Sequence, residues 1–203
     1  MINRNFHTFG DSHCYFGWDA IKKVNGFNII CHHIGPTLMF SVGRDGLKRL
    51  NVSEEKFQVK EGDYVCFCFG EIDCRSHVNK YKEKGYKQVI DKMVENYFNT
   101  IDLNKKLFKN LKIVVYNVVP PVKKGRVGEN KNFPFLGTDN ERLIYTKYMN
   151  NKLREYCQNN NYIFIDVYKF YSDPDGFLNY NLSDGKVHIK NPIFLKKYLE
   201  SIL

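Results

Sequence analysis

The two ends of this 203-residue chain carry the side chains from which an activated serine can be built. An apolar run near the N-terminus ends in Gly10-Asp11-Ser12, whereas Asp184 and His188 lie close to the C-terminus. Serine is a weak nucleophile until a base takes its proton, and a histidine oriented by a carboxylate is such a base. These residues therefore indicate acyl transfer through Ser12, with His188 as general base and Asp184 as its orienting acid.

Two other interpretations of the first segment stay open. A serine that follows Gly-Asp in a loop often caps a helix, and Ser12 would then begin a helix near Tyr15. Cys14, two residues further on, is a second possible nucleophile. The joint occurrence of Ser12 with the late Asp184 and His188 favours the catalytic interpretation.

Short apolar runs alternate with longer helical patterns, which predicts the elements that must bring these residues together. The predicted strands are short, apolar and rich in β-branched or aromatic residues, and they cover Phe6–Phe9, Phe27–Cys31, Tyr64–Phe69, Ile113–Val119 and Tyr162–Val167. The predicted helices cover Tyr15–Val24, Pro36–Leu50, Val78–Phe108, Asp139–Asn159 and Pro192–Ile202. This alternation favours a parallel sheet with helices on both faces. We therefore expect one α/β domain over residues 1–203, a flavodoxin-like three-layer α/β/α sandwich with five parallel strands.

Glycine and polar residues follow several predicted strands, at the end where such sheets bind their ligands. His33-Ile34-Gly35 follows the second strand, and Gly70-Glu71-Ile72-Asp73 follows the third. A longer segment, Pro120–Thr138, follows the fourth and combines prolines and glycines with lysines and asparagines. Its apolar stretch Phe133–Leu136 favours an ordered segment docked on the domain, and a disordered insertion is the alternative.

Charge and hydropathy narrow the class of protein. The formal net charge is +9, but no run of five or more like charges occurs, so the basic residues are best interpreted as a solvated surface. Attraction of anionic substrates or nucleic acid is the alternative, and nucleic acid is the less expected partner. No stretch approaches the roughly 18 apolar residues of a membrane span, and the N-terminus lacks the apolar core of a secretory signal. The six cysteines are expected as reduced thiols, which fits a cytoplasmic protein.

Neither a cofactor nor a metal ion is expected from the motifs. Possible metal ligands occur in His32-His33 and in Cys66 and Cys68, two cysteines on one face of a predicted strand. However, the sequence has no Cys-x-x-Cys pair, no His-Glu-x-x-His pattern, no Walker-type phosphate loop and no dinucleotide fingerprint.

The motifs resemble those of the SGNH hydrolases, also called the GDSL esterase/lipase superfamily, over nearly the whole chain. In that superfamily Gly-Asp-Ser supplies the nucleophile, and a glycine after the second strand helps to form the oxyanion hole. Ser12 matches the nucleophile, Gly35 is the best match to the glycine, and Gly43 is a weaker one. The resemblance therefore implies an oxyanion hole made by the backbone N–H groups of Ser12 and Gly35.

Two departures from the superfamily pattern matter. The third block is Gly-x-Asn-Asp, whose asparagine donates to the oxyanion, but Gly70-Glu71-Ile72-Asp73 has an apolar side chain at that position. This version is more similar to the Gly-Glu-x-Asp block of carbohydrate-esterase members. The last block is Asp-x-x-His, whereas three residues separate Asp184 from His188, so that a one-residue bulge is needed.

Five residues near the predicted strand ends are candidates for substrate binding, namely Asp11, His13, Glu71, Asp73 and Arg75. His13 adjoins the nucleophile and is expected to line the pocket. Buried charges need partners, so Glu71 and Arg75 form either a structural ion pair or a pocket in which Arg75 binds an anionic or hydroxyl-rich substrate. Asp73 is expected to orient its loop by accepting backbone N–H bonds.

Three functions fit these patterns, and the favoured one is a serine esterase that removes a small acyl group, such as acetyl, from a carbohydrate. A sugar O-acetyltransferase would form the same acyl-enzyme and pass the acyl group to a sugar hydroxyl instead of water. The third is a non-catalytic module that binds a glycan or a nucleic acid, for which stacking aromatics in a basic groove would be the signature. The acylated small molecule or glycan itself is left open by the sequence.

Overall fold

A six-stranded sheet forms the middle layer of the computed structural model, which describes residues 4–128 and 130–203. In chain order the strands are β1 (Arg4–Gly10), β2 (Lys23–Val24), β3 (Phe27–His33), β4 (Tyr64–Cys68), β5 (Lys112–Tyr116) and β6 (Ile163–Ile165). They lie side by side in the order β2-β3-β1-β4-β5-β6. Five strands are parallel, as predicted, and the edge strand β2 pairs antiparallel with β3.

Helices cover both faces of this sheet. They are α1 (Met39–Asp45), α2 (Val78–Lys80), α3 (Tyr86–Lys106), α4 (Asp139–Asn160), α5 (Tyr168–Tyr171) and α6 (Ile193–Ile202). Alternate side chains of a strand point to opposite faces, so Val65 and Phe67 pack with α1, α3 and α4, whereas Cys66 and Cys68 pack with α5 and α6. The predicted three-layer sandwich is therefore confirmed. None of the helices in residues 4–128 and 130–203 combines the length and apolar character of a membrane span.

The first predicted helix, Tyr15–Val24, is wrong. Its residues form a series of turns that ends in β2, so the predicted number of strands is one too low. Gly17 has a φ of 82°, a left-handed conformation that interrupts a helix. Trp18 follows it and stacks on Phe6 at 5.7 Å between ring centroids, fully buried. Burial of this large ring, rather than helical periodicity, fixes the path of the segment.

Two other predicted helices are interrupted by glycines. α1 ends at Asp45 because Gly46 has a φ of 59°. α3 begins only at Tyr86, after Gly85 with a φ of 82°, so the long predicted helix is divided into α2 and α3. A positive φ favours glycine and ends a helix, which accounts for both breaks.

The carboxyl ends of β1, β3 and β4 meet at one edge of the sheet. In the parallel ladders Gly10 pairs with His33 of β3 on one side and with Cys68 of β4 on the other. No side chain fits at residue 10, because a Cβ atom there would lie 2.1 Å from the carbonyl oxygen of Cys68. The strand order runs outward in both directions from this point, which makes it the topological switch point where open α/β sheets bind ligands.

Candidate active site

Ser12 is the first residue of a short 3₁₀ turn, Ser12–Cys14, directly after β1. The cap of this turn is Asp11, whose carboxylate accepts the backbone N–H of His13 at 2.8 Å. The Ser12 side chain is therefore not needed as a cap, and it is partly exposed. Cys14 is fully buried, and burial raises the pKa of its thiol, which argues against Cys14 as the nucleophile.

The structure brings Ser12, His188 and Asp184 together in one chain of hydrogen bonds. Nε2 of His188 lies 2.8 Å from the Ser12 hydroxyl oxygen, and Nδ1 of His188 lies 2.7 Å from Oδ2 of Asp184. With a neutral imidazole, the serine hydroxyl donates to Nε2 and the Nδ1–H donates to the carboxylate. This is the arrangement in which the imidazole can take the serine proton.

The loop that carries Asp184 and His188 absorbs the additional residue between them. The N–H of Asp184 donates to the carbonyl of His188 at 3.1 Å, and Oδ1 of Asp184 accepts the N–H groups of Lys186 and His188 at 2.8 and 3.2 Å. Gly185 has a φ of 76°, which allows the tight turn. The three-residue separation is therefore compatible with a direct Asp–His bond.

Burial and neighbouring groups keep the base neutral. Burial lowers the pKa of His188, and the nearby His13 lowers it further, against the opposing effect of Asp184. Burial works against ionisation of Asp184, but the hydrogen bonds from His188 and Lys186 outweigh it and hold the pKa of the carboxyl below its usual value. Near neutral pH, His188 is thus a free base beside an ionised carboxylate.

Two backbone N–H groups lie at this edge of the sheet, close after the ends of β1 and β3. Across residues 4–128 and 130–203, neither the N–H of Ser12 nor that of Gly35 donates to a protein acceptor. The two segments are joined where the N–H of Ile34 donates to the carbonyl of Gly10 at 3.0 Å. Gly43 cannot serve in this way, because it lies inside α1 and packs against the backbone of α3 at Asn96.

The third donor of the superfamily pattern has no side-chain equivalent at its own position. Ile72 is buried and apolar. Asp73 lies in a π-helical turn, Asp73–His77, and its carboxylate accepts the N–H groups of Met39 at 2.7 Å and Phe40 at 3.1 Å. Burial raises the pKa of Asp73 to about 7 despite these two bonds. Asp73 does accept backbone N–H groups, but they belong to the start of α1 and not to its own loop, and its full burial argues against contact with a substrate.

The contacts of Glu71 and Arg75 support the structural ion pair and not a substrate pocket. Nε and Nη2 of Arg75 lie 2.8 and 3.0 Å from the two carboxylate oxygens of Glu71, and Nη1 donates to the carbonyl of Phe133 at 2.8 Å. Both side chains are buried, and the guanidinium also lies 5.2 Å from the ring centre of Phe135. The pair therefore docks the loop that follows β5, whose Val122 and Phe135 are buried. The docked segment is as predicted, although residue 129 lies outside the described residues.

Asp11 and His13 are also buried, which corrects the expectation that they line a pocket. Asp11 is 1% and His13 is 6% exposed. Nδ1 of His13 lies 2.9 Å from Oδ1 of Asp11, and Nε2 lies 3.2 Å from the carbonyl oxygen of Val187, the residue before His188. His13 therefore lies beneath the catalytic loop and contacts it.

Three aromatic residues that the sequence did not single out surround the candidate triad. The ring of Phe16 stacks on His188 with centroids 4.2 Å apart, and Tyr15 meets Phe16 edge-on. The Tyr180 hydroxyl lies beside Gly185 in the catalytic loop. All three rings are exposed by more than a third. The available signal is the Tyr15-Phe16 pair so close to Ser12, which falls within the wrongly predicted helix Tyr15–Val24.

The possible metal ligands do not converge. Within the part of the chain that the structure describes, no group of three or more His, Cys, Asp or Glu side chains could hold a metal ion. Nε2 of His32 lies 2.9 Å from Nδ1 of His7. Cys66 and Cys68 are buried free thiols whose sulfur atoms lie 3.8 Å apart.

Solved structures with the same fold are numerous, although no family model and no curated protein sequence matches the chain. A GDSL-like lipase from Bacteroides thetaiotaomicron superposes with a TM-score of 0.64 at 13% identity, over 98% of this chain and 87% of that one. A member of the lipolytic protein G-D-S-L family from Veillonella parvula gives 0.58 at 13%, over 98% and 96%. A catalytic mutant of an acetylxylan esterase from Geobacillus stearothermophilus gives 0.57 at 14%, over 98% and 94%. The chain therefore has the SGNH-hydrolase fold.

Proposed function

We propose that this protein is an SGNH-type serine esterase that releases a small acyl group, such as acetyl, from a carbohydrate. The observation that carries the proposal is the chain of hydrogen bonds from Asp184 through His188 to Ser12, at 2.7 and 2.8 Å. It lies at the carboxyl edge of β1, where two backbone N–H groups are unpaired. The shared fold with GDSL-like lipases and an acetylxylan esterase supports the same reaction class.

The proposed reaction begins with attack of the Ser12 oxygen on the ester carbonyl carbon while Nε2 of His188 takes the serine proton. The carbonyl electron pair moves onto oxygen, and the N–H groups of Ser12 and Gly35 stabilise this oxyanion. Asp184 stabilises the imidazolium that forms. His188 then gives its proton to the departing sugar oxygen, which leaves an ester on Ser12. Water attacks that ester while His188 takes a proton from it. The acid is then released, and the proton on His188 restores the serine hydroxyl.

The absence of the third oxyanion donor is expected to lower the rate of the proposed reaction. Loss of one oxyanion donor typically lowers the rate by about 100- to 1,000-fold in other hydrolases. The superfamily pattern has three oxyanion donors. Because Ile72 replaces the asparagine, this site keeps only the two backbone donors, the N–H groups of Ser12 and Gly35. We therefore expect slower turnover than in a three-donor enzyme, which suits a reactive acetyl ester better than an amide.

A carbohydrate is the proposed substrate because of the surface around the triad. Tyr15, Phe16 and Tyr180 are each exposed by more than a third, and exposed aromatic rings pack well against the apolar faces of sugar rings. The block from Gly70 to Asp73 resembles that of carbohydrate esterases, in agreement with the acetylxylan esterase among the similar structures. Six free thiols support the further proposal that the protein acts in the cytoplasm.

The nucleophile is tested with a short-chain aryl acetate and with a fluorophosphonate probe. Ser12→Ala should lower aryl acetate turnover by at least about 1,000-fold and abolish covalent labelling. Ser201→Ala, an exposed serine on α6, is the matched control and should behave as the wild type. Equal turnover by wild type and Ser12→Ala would reject the esterase and leave the non-catalytic binding module.

A sugar O-acetyltransferase is the second candidate, and one contact favours it. Phe16 covers one face of His188, which leaves less room for water beside the base than an uncovered imidazole would. Product analysis with an acetyl donor, with and without sugar acceptors, separates the two functions. An acetylated sugar formed faster than free acetate indicates the transferase, and acetate at an unchanged rate indicates the esterase.

A further inference from the structure

His13 is a buried histidine with both ring nitrogens directed at acceptors. Nδ1 lies 2.9 Å from Oδ1 of Asp11, and Nε2 lies 3.2 Å from the carbonyl oxygen of Val187. The backbone N–H of His13 donates to the same Asp11 oxygen at 2.8 Å. Asp11 and His13 follow β1, whereas Val187 belongs to the loop of the general base. One side chain thus connects the nucleophile segment to a segment 174 residues further on.

Only the charged form of this ring can satisfy both contacts. A neutral imidazole carries one N–H, so either Nδ1 would turn a lone pair to the Asp11 carboxylate or Nε2 would turn one to the Val187 carbonyl. Both cases place two acceptors against each other in a buried site, which is costly. The imidazolium donates from both nitrogens, and its bond to a carboxylate is charge-assisted.

The surrounding charges also favour a proton on His13. The charged and titratable groups around it come from three segments and are Asp11, Glu71 with its partner Arg75, and His188 with its partner Asp184. Burial opposes the charge, but Asp11 and Glu71 outweigh it and the pKa of His13 is raised above its ordinary value. The ring centroids of His13 and His188 lie 4.9 Å apart, so a charge on His13 lowers the pKa of His188.

We propose that His13 acts as a doubly protonated positioning residue that holds the loop of the general base against the nucleophile segment. The inference rests on the proposed esterase function and extends it. The ring nitrogens of His13 bond to Asp11 and to the Val187 carbonyl, and not to Ser12 or to the His188 ring. It fixes the backbone directly before His188, and its charge makes protonation of His188 less favourable, so that the base stays free at lower pH.

The proposal gives the pH–activity profile two limbs. As pH rises through the pKa of His188, below the ordinary 6.5, the base loses its proton and kcat/KM rises. As pH rises further through the pKa of His13, above 6.5, the ring loses one of its two bonds and kcat/KM falls. In His13→Gln the amide can still donate to Val187, but it carries no charge and does not titrate.

The kinetic test compares pH profiles of wild type, His13→Gln and His13→Phe with the aryl acetate. In both variants the alkaline limb should disappear and the acid limb should move to higher pH. The rate at neutral pH should fall by about 10- to 100-fold in His13→Phe, since the loop loses its anchor, and by less in His13→Gln. His77→Gln, a buried histidine packed on Phe40, is the control and should keep both limbs. An unchanged two-limbed profile in either His13 variant would overturn the proposal.

A second measurement depends neither on activity nor on the folding of a His13 variant. Ring-nitrogen NMR of ¹⁵N-histidine-labelled protein should show protons on both nitrogens of His13 at neutral pH, in wild type and in Ser12→Ala alike. A neutral His13 at that pH would refute the positioning role even if the protein is an esterase. A doubly protonated His13 in a protein without esterase activity would instead reject the proposed function and leave the His13 charge established.

Discussion

Two Asp–His chains among the described residues can be compared directly, and one of the two ends at a serine hydroxyl. At the carboxyl edge, Asp184 and His188 lead to Ser12. In the second set, Nε2 of His7 on β1 lies 3.2 Å from Asp63, and its Nδ1 lies 2.9 Å from Nε2 of His32. Both chains connect distant segments through an imidazole bound to a carboxylate.

The surroundings of the second set show why it is structural. His7 is fully buried, and His32 stacks on Phe9 with ring centroids 4.4 Å apart. Burial lowers the pKa of both histidines, that of His32 to about 4. The carboxylate of Asp63 also accepts the backbone N–H groups of Asn5 and Lys60, at 3.2 and 2.9 Å.

The comparison teaches that an Asp–His bond by itself does not indicate catalysis. The chain that ends at Ser12 differs in having a partly exposed hydroxyl at its end and unpaired N–H groups beside it. Its position at the switch point of the sheet supplies both, because loops rather than paired strands occupy that edge. Substitutions in the two chains should therefore affect different properties of the protein.

The largest effect is expected from His188→Ala. Without the base, kcat/KM for the aryl acetate should fall by at least about 1,000-fold, because Ser12 keeps its proton. The free energy of unfolding should change far less than the activity, since the His188 side chain lies in a loop outside the two hydrophobic clusters of the core. Kinetics and urea denaturation measure the two quantities. Activity above one tenth of the wild type would remove His188 from the mechanism.

Asp184→Asn should have the next largest effect. Asparagine retains an acceptor for the N–H groups of Lys186 and His188, but its amide group would face the imidazole and favour the wrong tautomer. We expect kcat to fall by about 100- to 1,000-fold and to remain above that of His188→Ala. Steady-state kinetics of the two variants side by side give the order. A rate equal to the wild type would show that a backbone group, and not Asp184, orients His188.

The smallest effect on activity is expected from Asp63→Asn in the structural chain. One of the three groups that donate to Asp63 would then face an amide N–H₂, which should lower the free energy of unfolding by about 1–3 kcal/mol. The value of kcat should stay within about twofold of the wild type. Asp45→Asn is the control: its partners Arg44 and Arg49 are exposed, and such surface pairs contribute about 0–1 kcal/mol. A large loss of kcat in Asp63→Asn at unchanged stability would contradict the division between the two chains.

The sequence predicted the sheet and the main site residues because both leave local signals. Each parallel strand is a short apolar run, and Gly10-Asp11-Ser12 and the late His188 stand at strand or loop ends that the alternation locates. The segment around Trp18 was mispredicted, since its course depends on burial against β1 and not on local periodicity. The sequence singled out His13 but assigned it to the pocket, because its distant partner, Val187, contributes a backbone carbonyl that any residue would carry.

The bond between Ser12 and His188 joins positions 176 residues apart, and this has a consequence during synthesis. Under the proposed mechanism, the Ser12 hydroxyl remains an ordinary alcohol during synthesis until the loop that carries Asp184 and His188 has been made and has folded against β1. Covalent labelling of Ser12 would then report that these two distant segments have met.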